Sequence, residues 1–359
     1  MKKAYATNNT KAIAMAVLAA ALYGISSPVS KLLLKEIPPT LMAALLYLGA
    51  GFGMLILNGI SSIKHKPQAE AKMSSKELPY ILGMIILDIA APILLMFGLS
   101  LTTSENAALL NNFEIVATAL IALFIFKEAI GKRMWLAIAF ITLSSIVLSV
   151  EDYRSFSFSI GSIFVLMACV CWGFENNCTR MLSLKDPRQI VVVKGFGSGI
   201  GSFIISVIIR QFSDKMIYIL ITLVLGFVAY GLSIYFYIMA QRELGAARTS
   251  AYYAMSPFIG VLISWTVFHD KITGNFLMAL FIMLLGYFFA ATEMHKHTHL
   301  HQTLTHEHKH SHEDGHHTHI HEGGFAGEHS HIHSHEAIVH SHIHTPDTHH
   351  VHTHKQDEA

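Results

Sequence analysis

Four charged residues stand inside long apolar stretches of this chain: Asp88, Glu114, Glu175 and Lys194. A carboxylate at the centre of a bilayer costs about 2.5–3.5 kcal/mol on insertion scales, so it must face protein or water, and it marks a binding or ion-coupling site. Asp88 and Glu114 lie well inside their stretches, where a carboxylate could exchange a proton as its surroundings change. Glu175 is nearer one end of its stretch. Lys194 is the one basic residue in the middle of a stretch, and two roles are open to it. It either belongs to the binding site or forms a buried ion pair with one acid.

A second chemistry closes the chain. Beginning at "HKHTHLHQTLTHEHKHSH", histidines recur with one residue between them. The runs are His295, His297, His299 and His301; His306, His308, His310 and His312; His329, His331, His333 and His335; and His340, His342 and His344. In an extended segment every second residue faces the same side, so two or three imidazoles can converge on one ion. Imidazole suits divalent transition metals such as zinc, nickel, cobalt or copper, with little selectivity where no geometry is imposed. Few large apolar residues accompany the histidines, so residues 293–359 are expected to be disordered. Three readings stay open for the tail: a buffer or sensor for a transported metal, an element that titrates near the imidazole range, or an appendage without bearing on transport. Nothing before it requires a cofactor.

These groups need elements to position them. Apolar residues make up 52% of the 359 and charged ones 14%, with a mean hydropathy of +0.46. A soluble globular chain carries about 25% charged residues. Many apolar runs approach 20 residues, the length that crosses a hydrocarbon core of about 30 Å. The expected fold class is therefore all-α integral membrane, with ten helices at 12–34, 39–60, 78–101, 104–126, 133–150, 158–179, 189–210, 216–240, 246–268 and 274–292. Lys2, Lys3 and Lys11 before the first apolar run resemble a signal peptide, but a counterpart later in the chain makes it a retained first helix. Lys and Arg concentrate in the segments on the side of the N-terminus, including Lys64, Lys66, Lys72, Lys76, Lys127, Lys132, Arg133, Arg180, Lys185 and Arg188. That bias places both termini, and the tail, in the cytoplasm. Cys169, Cys171 and Cys178 share one apolar segment without CxxC spacing, as small buried residues do. A net charge of +1 favours neither nucleic acid nor a strongly charged partner.

The chain also repeats itself. "YGISSPVSKLL" at Tyr23–Leu33 matches "WGFENNCTRML" at Trp172–Leu182, aligning Lys31 with Arg180. "ATALIALFIFKEAI" from Ala117 matches "IGVLISWTVFHDKI" from Ile259, aligning Glu128 with Asp270 at helix ends. Five helices per unit is an odd number, so the two halves must be inverted in the membrane, an arrangement with a central site in secondary transporters. Residues three, four and seven apart share a helix face, and polar stripes follow. Asn111, Glu114 and Thr118, with Asn112 alongside, match Tyr253, Ser256 and Gly260 in the partner repeat. Tyr23, Ser26 and Ser30 match Trp172, Glu175 and Thr179, while Tyr230, Ser233 and Tyr237 answer Asp88 and Pro92. These faces are expected to line one cavity, although Asn111 and Asn112 could equally serve only to bond neighbouring helices. Gly49/Gly53, Gly195/Gly199 and Gly197/Gly201 have the spacing of close helix contacts.

Two five-helix halves, an aromatic-Gly pair in the first helix of each and an acid closing the fourth resemble the drug/metabolite transporter superfamily, EamA type. "GAARTSAYYAMSPFIGVLISW" at Gly245–Trp265 is the most family-like stretch, and the resemblance runs from about Lys11 to Thr292. It departs at Ile115, where the second half has Pro257, with Glu114 beside it in place of Ser256. The resemblance implies residues 12–150 and 158–292 as two repeats between a short N-terminus (1–11) and the tail. It implies alternating access without hydrolysis, so no enzyme, acting on small metabolites or drugs at the plasma or inner membrane. The candidate substrate or coupling residues are Asp88, Asn111, Asn112, Glu114, Trp172, Glu175, Lys194, Tyr230, Tyr253 and Ser256. The expected partners are the lipid bilayer, a small-molecule substrate and a coupling proton, and a homodimer is compatible with the chain. The competing reading is a divalent transition-metal transporter whose tail buffers or senses its cargo.

Overall fold

A computed structural model describes residues 2–63, 75–125, 132–152, 157–182, 185–244, 249, 252–253, 255–268, 273–292, 295–300, 304–310, 329–335 and 339–344. Its helices, in chain order, are α1 Lys2–Gly24, α2 Ser26–Leu33, α3 Pro39–Ile63, α4 Leu78–Leu101, α5 Ser104–Leu110, α6 Phe113–Phe124 and α7 Lys132–Ser149. There follow α8 Ile160–Leu182, α9 Pro187–Ile208, α10 Met216–Gly226, α11 Ser233–Leu244, α12 Ser256–Phe268 and α13 Gly274–Ala291. Seven helical segments are long and apolar enough to cross a membrane: Thr10–Leu33, Pro39–Ile60, Ser75–Leu101, Ser104–Phe124, Ile160–Thr179, Pro187–Ile208 and Met216–Ala240. Three of the ten expected spans fall outside that set. Of these, α7 begins with Lys132 and Arg133, and α12 and the apolar part of α13 are short. Glu128 and Asp270, the acids expected at helix ends, lie outside the described residues.

Local chemistry explains where the helices start and break. Thr103 caps α5 by accepting from the Asn106 N–H, and the Asp186 carboxylate caps α9 by accepting from the Arg188 N–H at 2.9 Å, with Pro187 at the start of the helix. Both follow the N-cap rule, in which a side-chain oxygen takes an otherwise orphaned donor. The expected fourth span is divided at Asn111–Asn112 into α5 and α6. The first is divided at Ile25, and the eighth carries a π-helical turn at Phe227–Leu232 between α10 and α11. Such interruptions leave backbone carbonyls without their usual partner and recur at functional sites.

One apolar cluster runs through the bundle, built from α3, α4, α5, α7, α8, α10 and α13 residues such as Leu46, Leu95, Leu99, Leu109, Val165 and Met283. Its dominant helix pairs are α4 with α8, α3 with α9, α7 with α13, and α1 with α11, while α12 rests on α5. Glycines set the closest approaches. A Cβ on Gly195 would stand 2.5 Å from the Gly51 amide nitrogen, so α9 meets α3 backbone to backbone. Gly51, missing from the expected motif, is the true partner there. Gly49 and Gly53 instead abut Leu223 and Phe227, and Gly197 and Gly201 receive Ile85 and Ile89. At one end, the Gln211 Oε1 accepts the Thr40 N–H at 2.9 Å, Ser213 donates to the Glu36 carbonyl at 3.1 Å, and Lys215 pairs with the Glu36 carboxylate. Hydrogen bonding to Glu36 raises the Lys215 ammonium above its ordinary range.

Outside the bundle, a short antiparallel pair sets β1 (Val150–Asp152) against β2 (Ser157–Phe158). The described segments of the tail pair as antiparallel ladders. Strand β3 (His295–Leu300) pairs antiparallel with β6 (Val339–His344), and β4 (Leu304–His310) with β5 (His329–His335). The physical reason is period: histidine at every second position suits an extended backbone, and ladder hydrogen bonds satisfy that backbone without an apolar core.

Candidate functional site

The four charged residues separate into two groups. In the first, α9 carries Lys194 to the acids of α4 and α8. The Lys194 Nζ donates to Glu175 Oε1 at 2.9 Å and lies 3.2 Å from Asp88 Oδ2. Tyr47 of α3 donates its hydroxyl to Asp88 Oδ1 at 2.8 Å, and Thr179 donates to Glu175 one turn along α8. Asp88, Glu175 and Lys194 are all buried, so four helices are tied together away from solvent. The ammonium therefore serves two acids rather than the single one expected.

Glu114, in the first turn of α6, forms the second group. Asn176 of α8 donates to its Oε1 at 2.6 Å and to Thr118 Oγ1 at 3.2 Å. Asn177 donates to the carbonyls of Gly173 and Thr118, at 2.8 and 3.3 Å. Gly173 permits this approach, since a Cβ there would lie 2.8 Å from the Ala117 Cβ. Among the described residues no Lys or Arg forms an ion pair with Glu114. The Asn176 amide is, among the described residues, the side-chain donor to its carboxyl.

Tyrosines pack beside these carboxyls. The Tyr23 ring stacks on Tyr253 with centroids 5.7 Å apart and meets the edge of Tyr230 at the same separation. Tyr230 in turn lies 5.3 Å from Tyr47, and Tyr237 lies 4.9 Å from Tyr253. The π turn carries Tyr230 into this position, while Ser233 donates to the Ala19 carbonyl at 2.9 Å and lies 3.4 Å from the Tyr253 hydroxyl. Asn111 and Asn112, at the α5/α6 break, are buried, and their Oδ1 atoms accept no hydrogen bond. Ser256, at the start of α12, is buried with an unpartnered hydroxyl. Tyr23, Asn111 and Ser256 line a cavity of about 10 Å³, closed by Gly24 and Gly260. Cys169 points its thiol towards the Leu110 carbonyl, 3.7 Å away, at the same break.

A larger cavity of about 550 Å³ opens near the far end of α5, lined by Lys31, Thr102, Asn106, Ser159, Thr273 and Asn275. Lys31 points its ammonium to the carbonyls of Leu99 at 2.5 Å and Thr102 at 2.6 Å, where the unpaired carbonyls of a helix C-terminus attract a cation. Asn106 lies in this vestibule and Asn111 in the small cavity, about 7 Å apart along a helix rising 1.5 Å per residue.

The structure thus places Asp88, Glu175 and Lys194 together, and Asn111, Tyr253 and Ser256 together, with Tyr230 between the two groups. Trp172 is buried on α8. It packs in the apolar core and makes no hydrogen bond among the described residues, because its face of α8 meets the core helices. Tyr47 and Asn176 escaped the sequence reading. Asn176 carried a usable signal, a polar amide beside Glu175 in an apolar helix, whereas the role of Tyr47 depends on a contact between distant helices. Among the tail candidates, backbone register sets His295, His297 and His299 opposite His344, His342 and His340, and His306, His308 and His310 opposite His333, His331 and His329. His335 stands opposite Leu304, and His301 and His312 lie outside the described residues. Among those described with their side chains, no group of three or more His, Cys, Asp or Glu could hold a metal ion.

Comparison with known proteins agrees with this architecture. The chain is 24% identical over 288 residues to an uncharacterized transporter of Methanothermobacter thermautotrophicus, covering 76% of this chain and 83% of that protein. It is 23% identical over 232 residues to the uncharacterized transporter YyaM of Bacillus subtilis, covering 61% of this chain and 73% of the relative. One solved crystal structure superposes with a TM-score of 0.54 at 14% identity, over 78% of this chain and 95% of that one, a likeness of fold. The EamA-like transporter family matches twice, at residues 10–150 and 159–292. This multi-pass membrane protein belongs to the EamA-like transporter family.

Proposed function

We propose that the protein is a secondary active transporter of small organic metabolites or drugs that works by alternating access, coupled to protons through Glu114. The observation that carries this reading is the difference in compensation between the acids inside the helices, Asp88 and Glu175 being buried and Glu114 half-buried. Lys194 serves Asp88 and Glu175, whereas among the described residues Glu114 forms no ion pair and accepts from the Asn176 amide. A half-buried carboxylate inside an apolar helix and without a counter-cation among the described residues is neutralised most cheaply by a proton, which makes Glu114 a carrier that loads and unloads as solvent access alternates. Coupling through Asp88, open from sequence, is the weaker assignment because its charge is already occupied.

Inverted repeats are part of the proposal. The helix pairs support them: exchanging the halves turns the α4–α8 contact into the α11–α1 contact, and returns α3–α9, α7–α13 and α5–α12 to themselves. Helix breaks at Asn111–Asn112 and before Ser256 fall at equivalent places in the two halves, where transporter sites of this construction lie. The vestibule at Asn106 would be the outer entrance, with both termini and the histidine tail on the cytoplasmic face. The opposed histidines of the tail ladders support binding of a divalent transition metal there, as an accessory to transport.

The test is uptake into proteoliposomes of a panel of candidate metabolites under an imposed pH gradient. Uptake that follows the gradient in the wild type and loses that response in Glu114→Gln is the expected result. Wild-type uptake indifferent to the gradient would remove the coupling assignment. Total zinc, nickel, cobalt and copper in cells lacking or overproducing the protein test the metal-transport alternative.

A further inference from the structure

Histidine spacing and strand register coincide in the tail. In β3 and β6 the partners are His295 with His344, His297 with His342 and His299 with His340, and between them stand Lys296 with Ile343 and Thr298 with Ser341. In β4 and β5 they are His306 with His333, His308 with His331 and His310 with His329, separated by Glu307 with Ile332 and Lys309 with Ser330. Successive residues of a strand belong to opposite faces, so each ladder has its three histidine pairs on one face. A slip of one residue would set every one of these histidines against a different residue type, so the pairing depends on register and not on composition alone. The two ladders are also in step. The offset that pairs His295 with His344 also pairs Leu304 with His335 and His310 with His329, as in one hairpin in which β3 and β4 return as β5 and β6. Opposed histidines gain little from one another: charged pairs repel, and there is no apolar core for neutral ones to enter. A metal ion shared between them turns that juxtaposition into bonds.

We propose that each ladder is a separate site where two neighbouring histidine pairs hold one divalent transition-metal ion, built on the central pair: His297 with His342 in the first, His308 with His331 in the second. This deepens the accessory metal binding proposed above by assigning its ligands and number, and it does not depend on what the helices carry. Directly opposed positions lie about 4.5–5.5 Å apart at Cβ, and same-face neighbours along a strand about 6.5 Å. Four imidazoles at such positions suit a tetrahedral ion bound at about 2.0–2.1 Å. Whichever end pair completes the four, the central pair is one of the two used. Without it the remaining pairs are about 13 Å apart along the strand and cannot share an ion. Each neutral imidazole gives one ring-nitrogen lone pair and water leaves the ion, so no oxidant or reductant is needed. The opposed strand supplies its pair at high effective concentration, and so separates these sites from loose chelation by the tail's other histidines. The first site lies where the tail leaves the bundle, just beyond Thr292, whose carbonyl accepts from Arg133 of α7 at 2.8 Å.

Zinc titration of the purified full-length protein, in competition with a chromophoric chelator, tests the assignment by comparing variants that lose equal numbers of histidines. The wild type is expected to show two tight sites above a weaker background. His297→Gln with His342→Gln should weaken one site by about a hundredfold and spare the other. His308→Gln with His331→Gln should do the same to the second. His295→Gln with His344→Gln, and His310→Gln with His329→Gln, remove end pairs and should leave both tight sites in place. If end-pair and central-pair variants lose zinc equally, or the wild type has no tight site above the background, the assignment is overturned and composition alone accounts for binding. Loss of both sites from a single central-pair variant would overturn their separateness. Uptake in proteoliposomes is read independently: chelation that ignores register leaves the transport reading standing, and absent uptake leaves these sites standing.

Discussion

Asp88 and Glu114 are both acids inside apolar helices, yet their surroundings give them opposite characters. Asp88 has a counter-charge and a donor: the Lys194 ammonium lies 3.2 Å from one oxygen as an ion pair, and the Tyr47 hydroxyl donates to the other. Glu114 has an amide on one oxygen and, among the described residues, no ion pair. The first arrangement locks α3, α4, α8 and α9 together and leaves little for a ligand to offer. The second leaves the carboxyl that the proposed function makes the proton carrier. Burial alone does not identify a coupling residue, and the inventory of counter-charges separates a strut from a switch.

The comparison can be broken most forcefully at Lys194. Lys194→Met leaves two buried carboxylates sharing no cation, and removing one partner of a buried charged cluster costs about 3–5 kcal/mol. Thermal denaturation in detergent should show a large loss, recovered in part when Asp88→Asn and Glu175→Gln accompany it. A single mutant as stable as the wild type would show that the cluster is no strut. Glu114→Gln sharpens the other side: its melting temperature should stay near that of the wild type while gradient-driven uptake falls to background. A loss of stability as great as that of Lys194→Met would merge the two acids into one structural class.

A smaller effect is expected at the contact that keeps the locked helices close. In Gly195→Val the new side chain would press on the Gly51 backbone, and overpacking of this kind costs about 1–3 kcal/mol. Its melting temperature should fall, and an unchanged value would mean that α3 and α9 separate without penalty. The smallest effect belongs to Lys215→Ala at the exposed end of the bundle, where it pairs with Glu36. Solvent screens such pairs, so melting and transport are both expected to match the wild type. A measurable transport defect there would assign that ion pair a gating role.

Several of these features were readable in advance because a membrane restricts what a sequence can do. An ionisable group in an apolar helix is costly, so Asp88, Glu114, Glu175 and Lys194 announced themselves by type and position. The stripes through Asn111 and Ser256 followed from helical period. Trp172, aligned with Tyr23 in the repeat, belongs to the core cluster against which Tyr23 also packs. The tail carries a second signal beside its composition. Its strict alternation of histidine with Thr, Ser, Glu and Lys is also a strand period, and the described segments pair accordingly.

By itself the sequence determined that the chain is helical and membrane-embedded, that its halves resemble each other, and which few charges stand in apolar helices. These are properties of local composition and period, which act within a single segment. Only the tertiary structure decided which acid Lys194 serves, that Tyr47 completes Asp88, and that Asn176 is the partner of Glu114. Those outcomes depend on contacts of 2.6 to 3.2 Å between helices far apart in the chain. Glycine contacts and helix breaks set such distances, and no period along one helix encodes them.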